Sequence, residues 1–353
     1  MDEFLLTRLL NQQLENPVFH TPQDIVGWMG AIQAQDYAGV KWALGLRLPG
    51  ATDADIDNAL NEGMIIRTHL MRPTWHFVTP ADIRWILELT AARVMAVDGH
   101  AWPELNLDAA AFSRCEAVIA EALRGGKQMT REELGQTLLR AGIDAQGRRM
   151  AHMLMHAELN CVICSGPRRG KQFTYMLFDE RVPAAPAKLR QEALVELTRR
   201  YFTSHGPATV HDFAWWSGLT ITDVKAALGD LTDELVAETR DGKTYWQPRT
   251  RRDGFALKHR AVLLPPFDEY TVAYPDHSLI KDPRAAEPPV RPVFSGSIIV
   301  DGYQVGYWRR VFRGKKAVIE LAPLREITSD ERDALEAASK RYADFLEIPV
   351  EIA

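Results

Sequence analysis

One stretch constrains the fold more than any other: residues 207–248, PATVHDFAWWSGLTITDVKAALGDLTDELVAETRDGKTYWQP. Thr209 is suited to open a short helix ending near Trp216, because a threonine hydroxyl accepts from the free amides of a first turn. Ser217-Gly218-Leu219 makes a tight turn, and Thr220 opens a second helix carrying Ile221, Val224, Ala227 and Leu228. Leu235-Val236-Ala237, the turn dipeptide Asp241-Gly242 and Thr244-Tyr245-Trp246 then read as a β-hairpin. A helix over 188–204, then helix, turn, helix and hairpin, spell a winged helix.

The same order occurs twice more. Helices are expected over 108–123 and 148–159, with Thr130 and Glu133 spaced as a capping box between them, followed by strands over 161–165 and 172–178. At the start of the chain the pattern predicts helices over 4–14, 22–32, 37–46 and 53–61, then strands over 64–70 and 74–78. The prolines of residues 182–187, VPAAPA, mark a linker. Beyond Arg260 the pattern turns to strands, in AVLLPPFDEYTVAY, in GSIIVDGYQVGYWRRVF with Asp301-Gly302 as its turn, and in KKAVIELAPL. Their alternation suggests a curved sheet or small barrel, and an amphipathic helix over 329–346 closes the chain. The expectation is an α+β protein of three tandem winged-helix units, over 1–107, 108–182 and 188–258, followed by a small β-barrel-like domain with a C-terminal helix over 259–353.

Composition narrows the partners. With 46% hydrophobic and 25% charged residues the chain is ordinary globular material. No apolar run approaches the roughly 20 residues that span a bilayer, and MDEFLLTRLL lacks a signal-peptide pattern, so a cytoplasmic protein without a membrane partner is expected. Cys161 and Cys164 form a Cys-x-x-Cys with no second ligand pair, and with Cys115 they are expected to be structural thiols rather than metal ligands. The net charge of −5 hides an uneven distribution: residues 240–316 hold 15 Lys plus Arg against 8 Asp plus Glu. A locally basic face on an acidic chain can still bind phosphates. Two loops concentrate the cations. Gly166-Pro167-Arg168-Arg169-Gly170-Lys171 sits at a wing tip, where it is placed either for phosphate or minor-groove contact or simply to keep a loop soluble. Arg309, Arg310, Arg313, Lys315 and Lys316 surround Phe312 in a mixture that suits a nucleic-acid hairpin.

Near the N-terminus GAIQAQD places Gln33 and Gln35 on either side of Ala34, with Asp36 after them. On an extended chain both amides fall on one face, where they can hold one water or one polar group; the alternative is a solvated surface pair. Asp36 would face away and cap the helix at Tyr37. The set Arg67, His69, Arg72 and His76 alternates around the first wing, where Arg72 and His76 are candidates to line a groove, and His76 alternatively a buried structural residue. Asp268 and Glu269 would point to opposite faces of a strand, so at most one serves a site; Asp268 is expected to hold a turn or an arginine.

Tandem winged helices with IQAQD in the first, RTHLMRPTWHFVTPADI after it and LLPPFDEYTVAY opening the last domain resemble the AlkZ-like bacterial DNA glycosylases from Phe4 to the C-terminus. The resemblance implies a C-shaped DNA-binding groove and a catalytic element of Gln, an aliphatic residue, then Gln or Asp, so that Gln33 and Gln35 would be catalytic in the Gln/Gln form. An amide has no useful pKa and cannot act as a general base. The implied substrate therefore brings its own activation: a purine alkylated at N7 or N3 is cationic and leaves as a neutral base. The amides then need only place water near C1′ and stabilise an oxocarbenium-like centre. The reading is a monomeric glycosylase on double-stranded DNA, possible crosslink unhooking included, without metal or cofactor. The rival is a non-catalytic winged-helix DNA-binding protein, a transcription regulator or a damage-binding relative; against a regulator stands the absence of a dimerisation coiled coil.

Overall fold

The computed structural model describes residues 2–250, 260–286 and 294–353. The chain begins with α1 (Glu3–Asn11), α2 (Pro22–Met29), β1 (Ile32–Gln33), α3 (Tyr37–Gly45), α4 (Asp53–Glu62), β2 (Ile66–Leu70), β3 (Arg72–Val78) and α5 (Ile83–Asp98). Local chemistry fixes most of these ends: Asp2, Thr21 and Thr52 accept from first-turn amides, and Gly63 ends α4 in the left-handed conformation. The three strands form an antiparallel sheet in the order β1-β3-β2. Two differences from expectation lie here. The segment after Gly30 leaves α2 and becomes the short strand β1, and the 16-residue α5 was not foreseen.

Next come α6 (Ala109–Leu123), β4 (Met129–Thr130), α7 (Arg131–Arg140), α8 (Gly147–Leu159), β5 (Ile163–Ser165), β6 (Thr174–Leu177) and α9 (Phe178–Arg181). The Thr130–Glu133 capping box is formed in both directions. This stretch has its own core, built around Phe112, Ile119, Leu134, Leu138, Met153 and Ile163. The three thiols are free, and burial pushes Cys115 up to about 12 and Cys161 up to about 11, and raises Cys164 as well. The succession then repeats with α10 (Arg190–His205), α11 (Val210–Ser217), α12 (Ile221–Gly229), β7 (Leu235–Arg240) and β8 (Lys243–Pro248), close to the expected bounds. Capping boxes at Thr209 and Thr220 open α11 and α12.

The last region holds β9 (Ala261–Leu264), α13 (Glu269–Val272), β10 (Gly296–Val300), β11 (Tyr303–Arg313), β12 (Lys316–Pro323), α14 (Ser329–Leu346) and β13 (Val350–Ile352). Its sheet runs β13-β12-β11-β10-β9, curled but with β9 and β13 as separate edges, and α14 packs on both. The expected strand through PPFDEY is absent: Pro265 and Pro266 end β9, and Asp268 instead caps the single turn of α13.

Two shared cores join these stretches. Leu5, Leu9, Trp42 and Leu44 from the start of the chain pack with Leu263, Ile298, Tyr342 and Phe345 from its end. A second core unites β2 and α5 with α10, α11 and α12. The first and third stretches approach closely at Gly218, the turn between α11 and α12. It has φ +72°, and a Cβ there would stand 2.5 Å from the Met71 carbonyl oxygen at the tip of the β2–β3 hairpin. The hairpin of the first stretch and the helix pair of the third therefore meet next to β1.

Candidate active site

The site is built around Gln33, the last residue of β1. Across the sheet it pairs with His76, and Thr68 on β2 also registers with His76. Four contacts hold Gln33 and the residue after it. The Gln33 amide donates to Glu269 Oε1 at 2.6 Å, the Ala34 amide to the Trp75 carbonyl at 2.7 Å, and Arg67 Nε and Nη2 both donate to the Ala34 carbonyl at 3.2 and 3.1 Å. On the side chain, Arg72 Nη2 donates to Gln33 Oε1 at 2.9 Å. A guanidinium only donates, so the atom facing it must be the amide oxygen, and the NH2 of Gln33 points elsewhere.

Each holding residue is held in turn. Glu269 is buried; its Oε2 accepts from Trp216 Nε1 at 2.9 Å and lies 3.4 Å from His205 Nε2. Burial pushes its pKa up, but His205, the Gln33 amide and Arg72 outweigh that and leave it below the ordinary glutamate value. Burial pushes the His205 imidazole below its ordinary value, against the pull of the Glu269 carboxylate. With Oε1 on the Gln33 amide and Oε2 on Trp216, and no exposure to solvent, Glu269 positions the Gln33 backbone. Arg67 lies between the Trp75 and Phe173 rings, 4.3 and 4.4 Å from their centroids, and burial lowers its pKa to about 10. It remains a cation. Together with Trp75, Phe173, Tyr175 and Lys171 it lines a cavity of about 670 Å³.

Gln35 sits differently. The strand has ended, residues 35 and 36 form a bend, and the Gln35 side chain is exposed with no hydrogen bond to any described residue. One amide is thus fixed and its neighbour is open to solvent; the structure does not continue the extended run that would align them. Asp36 stands at the N-cap of α3, but its carboxylate makes no capping hydrogen bond.

The other expected positions divide. Arg72 is half-buried at the site. His76 is fully buried, with Nδ1 on the Thr74 carbonyl, and burial, with Arg72 beside it, drives its pKa down to about 3. It is an interior neutral residue of the sheet rather than a wall of an open groove. Arg168 has left the wing tip: its guanidinium pairs with Asp57 at 3.2 Å and lies 4.5 Å from the Tyr37 ring centroid. Arg169 pairs with Glu133 at 2.6 Å, and Lys171 is exposed without an ion pair among the described residues. On the β11–β12 hairpin Arg309 and Arg313 share Glu320, Arg310 donates to Tyr342 and Lys316 pairs with Glu351, while Lys315 is exposed at the turn.

Sequence reasoning weighed Glu269 only as one of a pair of which at most one serves a site, and missed Trp216 and His205 as its partners. The available signal was PPFDE itself: two prolines followed by Asp and Glu is a helix start, which brings both carboxylates to a first turn instead of opposite strand faces. Asp268 both caps that turn and chelates Arg47 at 2.8 and 2.9 Å, so the expected turn and the expected arginine are both present.

A fold of helix–hairpin stretches closed by a curled sheet, with Gln-Ala-Gln at their junction, is matched across residues 26–345 by the family model described as DNA glycosylase AlkZ-like. The chain belongs to the AlkZ-like DNA glycosylase family, and so to the DNA glycosylases. Among curated relatives it is similar to the interstrand DNA cross-link repair glycosylase of Streptomyces sahachiroi, 24% identical over 331 residues and covering 86% of each chain. Among solved structures it resembles the Streptomyces sahachiroi DNA glycosylase AlkZ, with a TM-score of 0.80 at 21% identity over 99% of this chain and 98% of that one. That likeness concerns the fold.

Proposed function

We propose that this protein excises cationic N7- or N3-alkylated purines from double-stranded DNA, crosslinked purines included, with Gln33 and Gln35 placing the water that attacks C1′. The observation that carries the reading is the fixation of Gln33 by Arg72 on its side chain and Glu269 on its backbone. Preorganised dipoles of this kind are what a reaction with a self-activated leaving group needs. Arg72 occupies one lone pair of Gln33 Oε1, which leaves the second for a water proton and the NH2 for sugar or phosphate oxygen. Exposed Gln35 supplies the second amide when DNA is in place. The positive charge of Arg72 would oppose an oxocarbenium centre, and buried Glu269 offsets it.

In this reading the three helix–hairpin stretches act as winged helices around a C-shaped groove, and Arg169, Lys171, Arg309, Arg310, Arg313, Lys315 and Lys316 serve the phosphates. Exposed ion pairs such as Arg309–Glu320 are weak, about 0–1 kcal/mol, so the cations can exchange a carboxylate for a phosphate. The enzyme would act as a cytoplasmic monomer. The test is base release from duplex DNA carrying N7-methylguanine and from a nitrogen-mustard crosslinked duplex, with wild type beside Gln35→Ala. Release that depends on Gln35 is expected. Salt-sensitive DNA binding without any release would instead make the protein a non-catalytic DNA-binding member of its family.

A further inference from the structure

Two adjacent tryptophans on α11 have opposite fates. Trp216 is fully buried and donates to Glu269, whereas Trp215 keeps 51% of its surface exposed. Trp215 is nevertheless held: its Nε1 donates to the Val272 carbonyl at 3.1 Å, and the Arg72 guanidinium carbon lies 5.8 Å from its ring centroid. Through Arg72, which reaches Gln33 Oε1 at 2.9 Å, the ring stands within roughly 10 Å of the amide that would hold the water. A tryptophan so fixed loses little freedom when something stacks on it, and its π face attracts a cationic ring more strongly than a neutral one.

We propose that Trp215 is a specificity residue, the stacking face for the cationic alkylated purine. This rests on the excision reading above and adds to it how a damaged base is told from a normal one. A normal purine offers the same flat surface without the charge, so the ring contributes to affinity for both and to preference for the cation. The negative charge of buried Glu269 nearby offsets that of Arg72, which therefore does not cancel that preference.

The experiment compares wild type, Trp215→Ala and Trp215→Phe by fluorescence anisotropy on two duplexes differing at one position. One carries guanine and the other a hydrolysis-resistant 2′-fluoro N7-methylguanosine, each titrated at the same series of salt concentrations. Trp215→Ala is expected to reduce the preference for the alkylated duplex roughly tenfold, with Trp215→Phe retaining most of it. The salt slope should stay unchanged, because no charge is removed. An unchanged preference in Trp215→Ala overturns the proposal, and so does an equal loss in Trp215→Phe, which would make the indole a support for Arg72. Affinity is read apart from base release, so tight, Trp215-dependent binding with no release by wild type would overturn the excision reading alone.

Discussion

The junction around Gln33 and the tip of the β11–β12 hairpin are both rich in arginine, yet they use it in opposite ways. At the junction Arg47 and Arg67 are buried and Arg72 half-buried, and they donate to fixed partners: Asp268, the Ala34 carbonyl and Gln33. At the hairpin Arg309 and Arg313 are 68% and 63% exposed and share one glutamate. The same guanidinium is a positioning device where water is excluded and an exchangeable cation where it is not. Geometry at the junction and affinity at the hairpin should therefore respond to different mutations.

The largest expected effect is on the buried pair. Arg47→Ala strands the Asp268 carboxylate, whose side chain has no exposed surface, and should cost about 3–5 kcal/mol in a urea melt. A loss near the exposed-pair value would erase the distinction between the two regions. Gln33→Ala comes next. It should slow single-turnover excision about 10²–10³-fold, the scale of removing one oriented dipole, while leaving duplex affinity within a few-fold. Equal loss of folding and binding would make Gln33 purely structural.

A smaller, graded effect concerns acidity. His76 titrates near 3 when folded against 6.5 as an ordinary histidine, so the unfolded chain binds its proton first. The stability that depends on neutral His76 is fully present above pH 6.5 and is lost as pH falls from there toward 3. The slope is about 1.4 kcal/mol per pH unit for this one proton. A denaturation series over pH 6.5–4 that is identical in wild type and His76→Gln would refute it. The mildest change is at the hairpin: neutralising Lys315 with Gln should weaken DNA binding modestly and lower the salt slope by about 0.9, with single-turnover excision at saturating enzyme unchanged. An unaltered slope would take that residue off the DNA.

The same contrast explains what could be read from the sequence. The third helix–hairpin stretch was legible almost to the residue because its ends are local chemistry: Thr209, Thr220 and Asp241-Gly242 are caps and a turn that need no distant partner. Gln33 was legible as a motif and Asp268 as an arginine or turn holder. The network that holds Gln33 was not, because Glu269 lies 236 residues away in the chain and Arg72 reaches it only through the β1–β3 register. Arg168 shows the converse error. A Gly/Pro-rich loop with three cations looks exposed, and only the packing of that loop against Asp57 and Tyr37 withdraws one of them.

The chemistry proposed at Gln33 runs on oriented amides, with Glu269 hydrogen-bonded to Gln33 and Trp216, and with His76 buried and neutral. The most direct measurement is the pH dependence of single-turnover N7-methylguanine release between pH 5.5 and 8, at enzyme concentrations that saturate the DNA. A flat profile is expected, with a level that falls in Gln33→Ala and Gln35→Ala. A sigmoid or bell in that range, retained in either variant, would reveal a titrating general base and contradict it.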